Sequence, residues 1–185
     1  PTLNVAVAQN SVQENAAIGT TIATSTVNDP EAGTVTYSLS GTGSENFSVS
    51  SDGTVTLVSA LDYQNVTAYE ITLTASDGDN SVSETFTINV EDINEVPTLT
   101  TTLAAASFAE NVAIGTTIAT SSASDPESST ISFSLSGSGS DNFSVDANGS
   151  VTLANNLDYE TATSYTITLT ASDGTNSVQE TITIN

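Results

Sequence analysis

Tyr69-Glu70-Ile71-Thr72-Leu73-Thr74 decides the fold, because Tyr69, Ile71 and Leu73 face one way in an extended backbone and Glu70, Thr72 and Thr74 the other. A period of two, rich in aromatic and β-branched side chains, marks a half-buried strand. Thr34-Val35-Thr36-Tyr37-Ser38-Leu39 and Val82-Ser83-Glu84-Thr85-Phe86-Thr87-Ile88 alternate in the same way on either side of it. Shorter strands are expected at 3–8, 19–25, 46–49 and 54–57, and no segment reads as a helix of useful length. About seven short strands per hundred residues indicate a β-sandwich. Its expected core is Tyr37, Phe47, Leu57, Leu61, Tyr69, Ile71, Leu73, Phe86 and Ile88. Asp52-Gly53 and Asn148-Gly149, each between Phe-Ser-Val and Val-Thr-Leu, predict type I′ hairpin turns with positive φ at both central residues.

The same text then returns. Glu14, Asp29, Asn46, Leu61, Asp62 and Asp77 recur at Glu110, Asp125, Asn142, Leu157, Asp158 and Asp173, a constant offset of 96. Pro1-Thr2-Leu3 likewise returns as Pro97-Thr98-Leu99. Two ungapped copies imply two domains of one fold, residues 1–96 and 97–185, joined at about 91–96.

The sequence holds 22 Asp and Glu and not one Lys, Arg or His, for a net charge of -22. Its 37% hydrophobic content still indicates a folded protein. Without Cys there are no disulfides, no thiolate nucleophile and no Cys-based zinc site; without His the usual general base is missing. Oxygen ligands remain. A protein without basic side chains is unable to neutralise phosphates, so nucleic acid and anionic membrane surfaces are excluded as partners. No apolar run approaches the roughly 18 to 20 residues that span a bilayer, so direct membrane insertion by this segment is not expected. No basic leader opens the sequence, and it reads as a segment of something larger.

The carboxylates gather at strand ends: Gln13-Glu14-Asn15, Asp29-Pro30-Glu31, Leu61-Asp62-Tyr63-Gln64, Ser76-Asp77-Gly78-Asp79 and Glu91-Asp92-Ile93-Asn94-Glu95. Acidic turns are common for turn geometry alone. Four acidic loops at identical spacing in both copies, with no cation to pair with them, point instead to a bound metal ion.

In order and spacing these loops resemble the cadherin repeat, over essentially the whole of both copies. Gln13-Glu14-Asn15 looks like the x-E-N motif, Asp29-Pro30-Glu31 like D-x-D or D-x-E, and Leu61-Asp62-Tyr63-Gln64 like L-D-R-E. Ala75-Ser76-Asp77 looks like A-x-D, and Asp92-Ile93-Asn94-Glu95-Val96-Pro97 like the linker D-x-N-D-N-x-P. The resemblance implies an all-β protein of two tandem seven-stranded Greek-key (cadherin/Ig-like) sandwiches joined by a short calcium-binding linker. It implies Ca²⁺ between domains, held by Glu14, Asp62 and Gln64 of the first, Asp92, Asn94 and Glu95 of the linker, and Asp125, Glu127 and Asp173 of the second. Calcium accepts about six to eight oxygen ligands at variable geometry, whereas Mg²⁺ demands a strict octahedron. Asp29, Glu31 and Asp77, and Glu110, Asp158 and Glu160, are half-sites expected to bind weakly or stay empty.

The linker is one residue shorter than the family's, Gln64 replaces the last acid of L-D-R-E, and Ile131 follows Asp125-Pro126-Glu127 too soon for the asparagine ligand of animal cadherins. No Trp supports strand-swapped adhesion. The shortened linker looks more like the cadherin-like repeats of large bacterial surface adhesins. The expected function is a calcium-dependent extender or adhesion module at the cell surface, whose partners are calcium, neighbouring repeats of the same polypeptide and a homophilic, protein or glycan ligand. The alternative is a calcium-dependent carbohydrate- or protein-binding module, with Tyr63 and Tyr159 as candidate sugar platforms. An enzyme is not expected, because a carboxylate-pair glycosidase needs a substrate cleft that neither copy supplies.

Overall fold

Strict alternation organises both halves of the molecule. In Ala68–Ser76 the side chains of Tyr69, Ile71, Leu73 and Ala75 are buried while their neighbours stay at or near the surface. On the outer face hydroxyls replace the missing ion pairs: Thr72 bonds Thr85 across the sheet at 2.8 Å, and Thr74 bonds Ser83 at 2.8 Å. Such cross-strand pairs contribute roughly 0.2–1 kcal/mol each.

The computed structural model describes residues 1–31 and 33–185, and two compact units emerge, Pro1–Ile93 and Asn94–Asn185. In the first unit the strands are β1 (Thr2–Val7), β2 (Ser11–Gln13), β3 (Thr21–Asn28), β4 (Thr36–Ser40), β5 (Phe47–Val49), β6 (Val55–Leu57), β7 (Ala68–Ser76) and β8 (Ser81–Glu91). They form two sheets, in the orders β1-β3-β6-β5 and β2-β8-β7-β4. The backbone passes between the sheets from β3 to β4 and from β6 to β7, the Greek-key connection of an Ig-like sandwich. One core lies between them, with Ile22, Val55 and Leu57 from one sheet against Val12, Ile71, Leu73 and Ile88 from the other. Phe47 meets Tyr69 edge to face at 5.4 Å. Tyr37, expected in the core, is only half-buried against its margin.

The second unit holds β9 (Thr98–Leu103), β10 (Thr117–Ser124), β11 (Ser132–Ser136), β12 (Phe143–Val145), β13 (Ser150–Leu153), β14 (Tyr165–Ser172) and β15 (Ser177–Ile184). Its sheets run β12-β13-β10-β9 and β11-β14-β15 around Ile118, Val151, Ile167 and Leu169. The Phe143–Tyr165 pair, at 5.8 Å, repeats Phe47–Tyr69.

Two expectations need correction. Among the described residues the first unit has eight strands rather than seven, because its N-terminal strand changes sheets after Val7. Its continuation β2 then runs parallel to β8, with Val12 opposite Val90 and Gln13 opposite Glu91. In the second unit the Phe108 N–H donates to the Asn185 carbonyl at 2.8 Å. The hairpin turns are not type I′ either. Gly53 and Gly149 have φ of 81° and 79°, but Asp52 and Asn148 stay at negative φ. The Gly53 N–H donates to the Ser50 carbonyl and the Ser50 N–H to the Thr54 carbonyl, both at 3.0 Å. This is a three-residue loop closed by a glycine bulge. Asp52 itself supports it by accepting from the Ser50 hydroxyl and the Thr54 N–H, which holds its carboxyl below the ordinary range, the Ser50 bond contributing most. A side chain at position 53 would strike Ser25 Oγ and the Tyr37 ring, so glycine is required twice over.

Antiparallel order fixes where the loops go. At one end of each unit stand the loop after β2 or its counterpart, the loop before β7 or β14 and, in the first unit, the end of β8. At the other end stand the start of β1 or β9, the loop after β3 or β10, and the β7–β8 or β14–β15 turn.

Candidate metal centre

Glu14 is the one buried charged residue among those described, at 6% exposure. Its N–H donates to the Glu91 carbonyl at 3.1 Å, which extends the β2–β8 ladder and points its side chain inward. One carboxylate oxygen accepts the Tyr63 N–H at 2.8 Å and the other the Ile93 N–H at 2.9 Å. Glu14 therefore ties the Leu61–Val66 loop to the segment that follows β8. Gln64 donates from Nε2 to Asp92 at 3.0 Å, which adds a second link between the same two segments. Asp62 does something else with its carboxylate: Asn65 donates to it from its backbone at 3.0 Å and from its amide at 2.7 Å.

Asn94 and Glu95 belong to the second unit. Asn94 donates from Nδ2 to Asp173 at 2.9 Å, while Asn176 holds the Asn94 and Glu95 carbonyls at 2.8 and 3.1 Å. Asp173 also accepts the Thr175 and Asn176 N–H groups, each at 2.6 Å. These donors, the Asn94 amide first, hold its carboxyl below the ordinary value of 3.8. The Glu95 N–H reaches Glu127 at 3.2 Å. The neighbouring Glu95, its side chain first and then its N–H, holds the Glu127 carboxyl below its ordinary value of 4.5. Asp125 accepts the Ser129 N–H on one oxygen at 3.2 Å, whereas its other oxygen, Oδ2, is buried without any hydrogen-bond partner.

That orphaned oxygen is the test of whether a cation fits. A buried carboxylate oxygen without a donor is costly, and such groups are nearly always satisfied by protein, water or an ion. No Lys, Arg or His exists to satisfy this one. Asp125, Glu127, Glu95, Asn94 and Asp173 offer only hard oxygen ligands, the chemistry suited to Ca²⁺.

The metal residues expected from sequence thus fall into one group per unit: Glu14, Gln64 and Asp92 joined by the loop 61–66, and Asn94, Glu95 and Asp173 joined by Asn176, with Glu127 reached by the Glu95 N–H and Asp125 beside Glu127. Asp62, in the same loop, takes its side-chain hydrogen bonds from Asn65. Sequence reading passed over Asn65 and Asn176. The signal for Asn176 was present, since Asn80 stands 96 residues earlier and donates its N–H to Asp77 at 2.7 Å. In the second unit, Glu110, Asp158 and Glu160 each bring one carboxylate oxygen within 4.8 Å of the others, so this half-site is assembled. Of the two candidate sugar platforms, Tyr63 packs half-buried against the first core and Tyr159 is 64% exposed.

The family model for the cadherin domain matches residues 8–91 and again 104–185. The protein belongs to the cadherin family. The mouse cadherin EGF LAG seven-pass G-type receptor 1 is 35% identical over 172 residues, which is 88% of this chain and 6% of that protein. Protocadherin gamma B2 extracellular cadherin domains 3-6 superpose with a TM-score of 0.68 at 22% identity, covering 95% of this chain and 44% of that one. The EC1-2 fragment of human protocadherin-24 gives 0.58 at 24% identity, covering 99% and 96%. This cadherin pair therefore spans only a small part of the curated cadherins it matches. Cadherin domains are adhesion modules of extracellular proteins, not enzymes. Among the described residues no helix is long and apolar enough to cross a membrane.

Proposed function

We propose that this cadherin pair is a calcium-dependent extender and adhesion module of a repetitive extracellular surface protein, stiffened by Ca²⁺ bound at residues 91–96 and the loops that hold them. The observation that carries the reading is the buried, unpartnered Asp125 Oδ2 in a protein without cationic side chains. Glu14, Asp62, Gln64 and Asp92 would hold calcium from the first repeat, and Asn94, Glu95, Asp125, Glu127 and Asp173 from the second. The ion supplies positive charge that the protein lacks. Without it, carboxylates about 4 Å apart repel by roughly 1 kcal/mol even in water. At tenfold excess over Kd each calcium adds about 1.4 kcal/mol to the state that binds it. Extracellular sites bind near 10⁻⁴–10⁻³ M as an order of magnitude, so the module would be loaded outside a cell and empty in cytosol. The one-residue shortening of the linker supports a bacterial surface adhesin as the parent, whereas the relatives named above are animal proteins.

Calorimetric titration of wild type and Asp92→Ala with calcium tests the site. The variant loses the tightest binding step, and unchanged binding would place the metal elsewhere. Small-angle scattering with calcium and then with chelator tests the stiffening: the distribution of dimensions broadens on chelation, and an invariant profile would sink the extender role while leaving calcium binding intact. The exposed ring of Tyr159 favours a second reading, a calcium-dependent glycan platform. Glycan-array binding abolished by Tyr159→Ala would establish it.

A further inference from the structure

Asn148 is the only asparagine in the sequence followed by glycine. It stands exposed at the tip of the β12–β13 hairpin, and its side-chain amide makes no hydrogen bond among the described residues. We propose that Asn148-Gly149 is a site of spontaneous deamidation, which converts the tip of the second repeat to aspartate and isoaspartate. The Gly149 nitrogen loses its proton and attacks Asn148 Cγ. A cyclic imide closes as the bond from Cγ to the amide nitrogen of Asn148 breaks, and the departing nitrogen takes up the proton to leave as ammonia. Water then opens the imide at one carbonyl or the other, giving Asp or its β-linked isomer. Nothing beyond water is needed. Glycine favours the step because no Cβ hinders approach to its nitrogen. The fold restrains it, because the Gly149 N–H donates to the Asp146 carbonyl at 3.1 Å and that bond must open first.

Comparison of the two repeats shows what the change would do. The first hairpin carries Ser50 and Asp52, the second Asp146 and Asn148, so each has one carboxylate, in swapped positions. Asp52 accepts the Thr54 N–H, and Asp146 accepts the Asn148 and Ser150 N–H groups at 2.9 and 2.8 Å. Deamidation would place a second carboxylate beside Asp146 with no serine to donate to it. The β-linked isomer also lengthens the backbone inside the loop that sets Val145 opposite Val151. Loosening would then be confined to the hairpin of the second repeat.

The test is prolonged incubation of the intact protein in mildly alkaline buffer, followed by peptide mass mapping and isoaspartyl methyltransferase labelling. Asn148 converts first, ahead of every other asparagine. It converts more slowly than in a free peptide of residues 143–153, and Asn148→Gln abolishes the early mass gain and the label. Equal gain in wild type and Asn148→Gln, or first conversion at another asparagine, overturns the proposal. Gly149→Ala is a poor control, since its Cβ would lie 3.0 Å from the Phe133 ring at a φ of 79°.

Discussion

Glu14 and Glu110 occupy the same position in the two repeats and live in different surroundings. Glu14 is buried with a backbone donor on each oxygen, whereas Glu110 is exposed and accepts only the Tyr159 N–H, at 3.1 Å. Glu14 is covered by the segment leaving β8, which brings the Ile93 N–H to it. A second contrast runs in the opposite sense. Both oxygens of Asp29 find N–H groups, at 3.4 Å from Glu31 and 2.6 Å from Gly33, while its equivalent Asp125 keeps one oxygen unpartnered. A motif acid can thus have backbone donors on both oxygens or keep one oxygen unpartnered.

The sharpest way to break the first contrast is truncation at both positions. Glu14→Ala removes two charge-assisted hydrogen bonds and strands two N–H groups, and should cost about 3 kcal/mol of first-repeat stability. Glu110→Ala should cost within about 1 kcal/mol of nothing in the second repeat, as for other exposed charges. Hydrogen exchange read separately in each repeat measures both, and equal losses would show that burial of Glu14 carries no energetic weight.

The second contrast yields a smaller effect. Asp125→Asn should weaken calcium binding by about tenfold or more, roughly 1.4 kcal/mol, while Asp29→Asn leaves the tightest site unchanged. Calorimetry on the pair decides it, and the reverse order would move the site to the other end of the sequence.

The smallest effect concerns Asp77 and Asp173, both held below the ordinary value of 3.8 but for different leading reasons: the Asn80 backbone for Asp77, the Asn94 side chain for Asp173. A depressed carboxyl stabilises the fold above its unfolded value, and that contribution is lost as pH falls through the lower folded value. In calcium-free protein, both contributions should disappear on acidification below pH 3.8. Asn94→Ala should raise the Asp173 value and leave Asp77 where it was. Carboxyl NMR titration follows each group by itself, and parallel movement would mean that the Asn94 amide is not the cause.

Much of this was legible in the residues. Alternation in Tyr69–Thr74 located a long buried strand, and the offset of 96 divided the sequence in two. The clustering of acids at strand ends survives in the structure because antiparallel strands deliver alternate loops to the same end. Other features were not legible. Asp52-Gly53 reads as a type I′ turn, yet Ser50 and Thr54 pair across a longer loop, so only the glycine needs positive φ. The short strand β2 carries no recognisable period, since only three residues pair and their partners lie some eighty residues away.

The sequence by itself determined that the protein is all-β, that it is two copies of a cadherin repeat, and that any countercharge must be supplied from outside. Those conclusions rest on local periodicity, repetition at one offset, acidic motifs that resemble the family's in order and spacing, and the absence of basic residues, none of which depends on packing. Only the tertiary structure decided which carboxylate oxygens find donors. Asp29 finds its donors within four residues and Asp125 keeps one oxygen without any, whereas hydrogen-bond supply to Glu14 comes from segments distant in sequence. For Glu14 those donors lie 49 and 79 residues away.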